Sequence, residues 1–261
     1  MPPPPRALVI GGRRGIGAAV VQTLADRGYA VTYTYRTEPG VFPASITALP
    51  LDLADRAAVD AFAAEQEDAA PWDVLVQVGG TTYDALAAMM DQDAAERAMQ
   101  VNFFAFARIA RAVVRPMMRA RFGRIVAIGS VIGQFASQGN AAYGATKAAL
   151  LSYVRSLAIE SARRGVTVNY VAPGFVDTEM MAPFAAYRAP TEGRIPAARY
   201  GKPAEIAAVV AFLASPEASY VNGAYIPVDG GLTAAVGVPR GLNSLRPCCA
   251  LRPVPYIRPK H

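Results

Sequence analysis

Residues 7–17, Ala7-Leu8-Val9-Ile10-Gly11-Gly12-Arg13-Arg14-Gly15-Ile16-Gly17, decide how the rest of the chain is read. Four apolar residues form a short run of strand type, and an amphipathic stretch over 16–27 follows the glycines directly. Three spaced glycines in such a turn have a physical purpose. Gly11 lets the chain leave the strand sharply, Gly15 admits a pyrophosphate to the backbone N–H groups, and Gly17 lets helix and strand pack closely. Ile16 opens the helix, whose N-terminus adds partial positive charge at the phosphates. The plainer alternative is a tight strand–helix turn with no ligand. A strand before and a helix after favour dinucleotide binding.

Working outward, short β-rich runs over 7–10, 30–35, 46–51, 74–78, 124–128, 167–171 and 224–228 alternate with helical stretches over 16–27, 56–68, 94–119, 142–163 and 204–214. Each strand is nearly continuously apolar, as required when both faces are covered. The expected fold is α/β, a Rossmann-type doubly wound parallel sheet of about seven strands with helices on both faces. Only residues 37–45, including Pro39, Gly40 and Pro43, separate the second strand from the third, so that crossover helix is expected to be short or absent. Residues 1–232 read as a single dinucleotide-binding domain.

Composition removes several classes of function. The chain has 261 residues, two cysteines (the adjacent Cys248 and Cys249) and one histidine, His261. No disulfide framework, Cys/His zinc site or Ser-His-Asp machinery can be built from that set, so no metal is expected. Five of the six net positive charges lie in residues 233–261, at Arg240, Arg246, Arg252, Arg258 and Lys260, with no acid among them. That Pro/Arg-rich tail is expected to be extended or disordered. The remaining body is nearly neutral, which gives no footprint for nucleic acid. No apolar run is long enough to span a bilayer and no targeting signal is visible, so a cytoplasmic protein is expected.

The end of the second strand bears on cofactor choice. An NAD-binding unit places an acid there for the ribose hydroxyls. This chain has Tyr35-Arg36, with Arg13 and Arg14 in the glycine turn. Arginine forks suit a 2′-phosphate, which points to NADP(H). Three solvated surface arginines are the bland alternative.

A second constellation follows the fifth strand: Ser130, then Tyr143 and Lys147 at i,i+4, on one helix face. A lysine ammonium beside a phenol is expected to lower the tyrosine pKa, giving proton transfer near neutrality without histidine. Taken alone, Tyr-x-x-x-Lys is also an ordinary exposed helix pair.

With these residues in place the sequence resembles the short-chain dehydrogenases/reductases over residues 6–232, most of all their 3-oxoacyl-[acyl-carrier-protein] reductase group. The segments that carry the resemblance are Gly11-x-x-x-Gly15-Ile16-Gly17, Leu51-Asp52-Leu53, Asn102, Ser130, Tyr143/Lys147, Val171 to Thr178, Arg199 to Ala207 and Val228-Asp229-Gly230-Gly231. It implies that Tyr143 protonates a carbonyl oxygen as hydride arrives, that Ser130 hydrogen-bonds that oxygen, and that Lys147 grips the nicotinamide ribose. Asn102 would anchor a water relay behind Lys147. Asp52 and Leu53 match the adenine contacts, and Gly79 and Gly80 the clamp after the fourth strand. Pro173 and Gly174 lead into Val176 and Thr178, which match the positions fixing the carboxamide end.

The chain departs from the family pattern in three places. Ile10 replaces a threonine whose hydroxyl ties the glycine turn to the neighbouring strand, Gln77-Val78-Gly79-Gly80 replaces Asn-Asn-Ala-Gly, and the third crossover helix is missing. None removes a catalytic group.

The resemblance also makes residues 179–198 a substrate lid, with Met180, Met181, Phe184 and Tyr187 available to an acyl chain; simple packing beneath a loop is the alternative. Arg121 and Arg164 match carrier-docking positions. The implied activity is NADPH-dependent reduction of a 3-oxoacyl thioester, on an acyl carrier protein, in fatty-acid or polyketide synthesis. Reduction of a free ketone or oxidation of a secondary alcohol is the alternative, and a non-catalytic NADP-binding protein the third reading. Relatives assemble as tetramers, so a homotetramer or dimer is expected; Ala141, Ala142, Ala145, Ala148 and Ala149 would allow close helix approach or suit packing on the sheet.

Overall fold

The computed structural model describes residues 3–235. Seven strands, β1 (Arg6–Ile10), β2 (Ala30–Tyr35), β3 (Thr47–Pro50), β4 (Val74–Gln77), β5 (Gly123–Ile128), β6 (Val166–Pro173) and β7 (Tyr225–Val228), form one sheet in the order β3-β2-β1-β4-β5-β6-β7. Every neighbouring pair is parallel. The helices are α1 (Gly15–Asp26), α2 (Arg56–Asp68), α3 (Gln92–Met99), α4 (Ala105–Ala120), α5 (Ala141–Ser161), α6 (Arg188–Glu192) and α7 (Pro203–Ala214).

The period-two alternation of the strands sorts their side chains into two cores. Leu8, Ile10, Leu75, Ile125, Val168 and Tyr170 face the layer that holds α2, α4 and α5. Ala7, Val9, Val74, Val76, Val126 and Val171 face the layer of α1 and α7. With both faces covered, each strand reads as an unbroken apolar run, which is why the parallel sheet is visible in the sequence.

Between β2 and β3 there is no helix. The connection is a loop held by aromatic packing: Phe42 lies edge-on to Tyr33 at 5.0 Å between ring centroids, and the Tyr33 hydroxyl accepts from Gly40 N at 2.9 Å. The expected single helix over 94–119 is instead α3 and α4 joined by a wider π turn, Gln100–Phe104, in which Ala105 N–H donates to the carbonyl of Gln100 five residues back. The sequence reading also missed the two short helical pieces after β6, a 3-10 run over Glu179–Tyr187 and α6. The tail expected over 233–261 lies, from residue 236 on, outside the described residues.

Among the described residues no helix is long and apolar enough to cross a membrane. The chain runs β1-β2-β3 to one side of β1, then returns to place β4 on the other side. That reversal opens a crevice at the carboxyl ends of β1 and β4, where ligands bind in doubly wound sheets.

Phe106 is fully buried in the α4 layer, with its ring edge-on to Tyr153 at 5.9 Å. Phe106→Ala should lower stability by about 3–5 kcal/mol. Urea unfolding would then show a reduced midpoint at an unchanged slope.

Candidate active site

The glycine turn sits at this crevice. Gly11 has φ +82, and a Cβ on it would lie 2.5 Å from the Cα of Gly79, so two backbones meet where no side chain fits. A Cβ on Gly17 would overlap the Gly11 carbonyl. The Ile10 carbonyl accepts from both Val78 N (2.9 Å) and Gly79 N (2.8 Å), fixing the exit of β4 to that of β1. The hydroxyl lost at position 10 has a substitute from the neighbouring strand: Gly11 N donates to Thr34 Oγ1 at 3.0 Å. At the altered clamp, Gln77 Nε2 donates to Gly79 O at 2.7 Å, closing the turn with a side chain of its own.

The first turn of α1 is suited to an anion. Its N-cap, Arg14, has extended backbone and makes no side-chain cap, and no acid lies in the first turn. By contrast, α2 and α3 are capped by Asp55 and Asp91. The uncapped N–H groups at α1 therefore retain hydrogen-bonding capacity beside a glycine cradle, which fits a pyrophosphate. Gly15, at φ +54, faces the Thr178 methyl, 3.3 Å from where its Cβ would stand.

The other expected cofactor residues divide. Tyr35 is half-buried and Arg36 exposed at the end of β2. Asp52 is exposed and caps its own turn by accepting from Ala54 N at 2.9 Å, whereas Leu53 is buried in the core beneath Gly79. Pro173 and Val176 are buried, and Val176 bridges to Gly201; Gly174 packs against Asp229. Arg13 is ion-paired with Glu38, and Arg14 with Glu179 at 2.8 Å.

The π turn positions Asn102. Its Oδ1 accepts from Thr81 N at 2.8 Å, while Nδ2 donates to Thr81 O at 2.9 Å and to Thr146 Oγ1 at 3.0 Å. Thr146 precedes Lys147 on α5, and a Cβ on Gly80 would stand 3.0 Å from Asn102 Oδ1 and 3.5 Å from Lys147 Nζ. Asn102 and Lys147 are thus buried together behind the exposed Gly80, with Lys147 Nζ also 3.4 Å from the Ile128 carbonyl. Neither Thr34 nor Thr81 stood out in the sequence, because each acts through a hydrogen bond to a residue more than twenty positions away.

Ser130 leaves β5 with extended backbone, its Oγ accepting from Ile132 N at 3.2 Å. Lys147 Nζ lies 5.7 Å from the centroid of the Tyr143 ring. The expected lowering of the tyrosine pKa by lysine is not what this enclosure produces. Burial pushes the Tyr143 phenol up, the Ser130 hydroxyl opposes that, and Asp84 adds to it. Burial also takes Lys147 down from its ordinary 10.5 to about 8. In a pocket that penalises charge on either group, removal from water is the largest influence on the phenol. A phenol kept protonated is suited to giving a proton away.

Of the residues expected in a lid, Met180, Phe184 and Tyr187 are exposed and Met181 is half-buried. Arg188 anchors this segment with two bonds to Asp177 (2.9 and 3.2 Å) and one to Glu192 at 2.9 Å, its guanidinium 4.7 Å from the centroid of the Tyr200 ring. Arg121 and Arg164 are brought near each other, since a Cβ on Gly165 would overlap the Arg121 carbonyl. They precede β5 and β6, however, and so occupy the opposite edge of the sheet from Ser130. At about 3.3 Å per residue, the six residues of β5 separate the two edges by roughly 20 Å.

A family model described as "Enoyl-(Acyl carrier protein) reductase" matches residues 10–233. The chain is 42% identical over 229 residues to the 3-oxoacyl-[acyl-carrier-protein] reductase MabA of Mycobacterium tuberculosis (strain ATCC 25618 / H37Rv), covering 86% of this chain and 91% of that protein. It is 40% identical over 234 residues to the 3-oxoacyl-[acyl-carrier-protein] reductase FabG of Escherichia coli (strain K12), covering 87% and 96% respectively. Among solved structures, a gluconate 5-dehydrogenase from Burkholderia cenocepacia J2315, in complex with NADP and tartrate, aligns with a TM-score of 0.83 at 33% identity, over 89% of this chain and 96% of that one. The chain belongs to the short-chain dehydrogenase/reductase family of oxidoreductases.

The depressed Lys147 pKa has a measurable consequence. Between about pH 8 and pH 10 the unfolded chain still holds a lysine proton that the folded chain has released, so stability from this residue rises with pH. Tyr143 acts in the opposite sense only above its ordinary 10.0, where the unfolded phenol ionises first. In urea titrations at about pH 7.5 and about pH 9.5, the wild type should gain on Lys147→Met. Equal shifts in the two proteins would show that the buried amine is not depressed.

Proposed function

We propose that the chain reduces a 3-oxoacyl thioester to its 3-hydroxyacyl form with NADPH, with the acyl group on a carrier protein, in fatty-acid or polyketide synthesis. The observation that carries this reading is the constellation of half-buried Ser130 and Tyr143 with buried Lys147 and Asn102, beside the uncapped α1 N-terminus. Relatives at about 40% identity that bear the name of this activity support it.

Bound NADPH would supply hydride. Gly11, Gly15, Ile16, Gly17 and the first-turn N–H groups of α1 would hold its pyrophosphate. Arg13, Arg14 and Arg36, beside Tyr35, would take the 2′-phosphate. Asp52 and Leu53 would border the adenine and Gly79 and Gly80 the adjoining ribose side. Pro173, Gly174, Val176 and Thr178 would bound the carboxamide. Tyr143, kept protonated by burial, donates its proton to the substrate oxygen while Ser130 hydrogen-bonds that oxygen. Lys147 holds the ribose, and Asn102 orders the route by which Tyr143 is reprotonated. Two hydroxyls converging on one oxygen suit a carbonyl better than the carbon–carbon double bond that the family model's description names.

The gluconate 5-dehydrogenase likeness supports a second reading, reduction of a free ketone or oxidation of a secondary alcohol. The nearly neutral body and the absence of any cysteine before Cys248 support a cytoplasmic site of action. Ala141, Ala145 and Ala148 are exposed on α5, together with Ile159, and this face supports pairing through α5 toward a dimer or tetramer. Arg121 and Arg164 cannot steer a carrier to the site of their own chain across the depth of the sheet. Docking through them requires a second copy whose site faces their edge.

NADPH oxidation assayed against an acetoacetyl carrier protein, the free thioester and a panel of cyclic ketones separates the readings. Turnover is expected with the thioesters and, with NADH, at a much lower kcat/KM. Tyr143→Phe should reduce kcat by about 10³-fold, within the range for loss of a general acid, while NADPH still binds. Unaffected turnover would sink the mechanism.

Charge reversal at Arg121 and Arg164 should raise KM for the carrier-bound substrate roughly tenfold, as losing electrostatic steering does. Small ketones should be turned over normally; an unchanged KM for the carrier would remove the docking role.

A further inference from the structure

We propose that Tyr170 is a positioning residue whose hydroxyl sets Ser130 and the Lys147 turn of α5 relative to each other, an inference that rests on the function proposed above. Tyr170 lies on β6, completely buried, between Val168 and Ala172 on the face of the α5 core. That position asks only for an apolar side chain, yet it carries a phenol whose oxygen meets three backbone groups. The hydroxyl accepts from Ser130 N at 2.9 Å and lies 3.1 Å from Ser130 O and 3.4 Å from Lys147 O.

The two Ser130 atoms belong to the peptide planes on either side of its Cα. One oxygen therefore fixes both planes, and with them the direction in which the Ser130 side chain leaves the backbone. The third contact ties the same oxygen to α5 one turn beyond Tyr143. Burial pushes the Tyr170 phenol up, so it remains protonated and able to donate to a carbonyl.

The surroundings are shaped for this ring. A Cβ on Gly129 would overlap it, and one on Gly133 would stand 2.6 Å from its hydroxyl. The ring is also stacked on Tyr225, with centroids 5.6 Å apart and planes at 18°. The Tyr225 hydroxyl is buried and has no partner among the described residues, which makes it the internal control.

The test uses the full chain and the thioester assay. Tyr170→Phe keeps the ring and loses only the hydroxyl. Its kcat should fall about tenfold or more, as misplacement of a reacting group by a fraction of an ångström does. KM and NADPH affinity should stay within about twofold, because Tyr170 is completely buried and offers a ligand no surface. For the reverse oxidation of the hydroxyacyl product, the acid limb of the kcat profile should move to higher pH, because Ser130 no longer holds the Tyr143 phenol down. Tyr225→Phe should match the wild type in both readouts. In a Ser130→Ala background, Tyr170→Phe should cost little further activity, since its effect is routed through Ser130.

Should the phenylalanine variant prove unstable, saturating NADPH keeps it folded for the same measurements. A Tyr143→Phe chain that still turns over would overturn the proposed function itself. A dead Tyr143→Phe chain beside a Tyr170→Phe chain with wild-type kcat and pH limb would overturn the positioning role alone, as would a full multiplicative loss in the Ser130→Ala background.

Discussion

How closely β1 and β4 leave the sheet together governs the rest of the site. The Ile10 carbonyl takes two N–H donors from the start of the next segment, and Gly11 and Gly79 lie too close for a side chain on Gly11. From that contact a line of dependence runs outward. Gly80 follows at once and sits over Asn102 and Lys147; Thr81 is held on both its N–H and C=O by the Asn102 amide, and Asn102 reaches Thr146. The helix that carries Tyr143 and Lys147 is thus registered against the phosphate turn through backbone and amide hydrogen bonds. Each is individually modest, and together they have few alternative arrangements.

The same enclosure sets the electrostatics. Lys147 has a backbone carbonyl as its hydrogen-bonding partner, and burial alone accounts for its shift. Tyr143 is shifted the other way by the same cause. Burial presses both groups toward their neutral forms, the phenol above its ordinary value and the amine down to about 8. At about 8 the amine stays largely ammonium near neutrality, facing a phenol that burial keeps protonated.

Much of this was legible in the sequence, for identifiable reasons. Parallel strands buried on both faces announce themselves as apolar runs, a strand–glycine–helix turn has few other uses, and Tyr143 and Lys147 share a helix face by spacing alone. The π turn was not legible, because its widening puts Asn102 against Thr81 and Thr146, both distant in sequence. Thr34, standing in for a hydroxyl missing at position 10, is invisible for the same reason. The direction of the Tyr143 shift depends on how much water is removed, which spacing does not encode. The placement of Arg121 and Arg164, by contrast, was implicit in strand direction, since residues that precede parallel strands lie at the edge opposite the site.

The arginines of the phosphate turn show how such a site stays receptive. Arg13 and Arg14 are each paired with an exposed acid, Glu38 and Glu179, one on the β2–β3 loop and the other at the start of the lid. Solvent-exposed pairs of this kind contribute about 0–1 kcal/mol, so exchanging a carboxylate for a phosphate costs little. Arg36 makes no ion pair among the described residues, so its charge is not already offset. In the proposed cofactor site, preference for a phosphate over a bare hydroxyl at the end of β2 would therefore fall most heavily on Arg36. In the proposed cofactor site Arg13 and Arg14 would contribute chiefly by changing partners, and in doing so Arg14 would release Glu179.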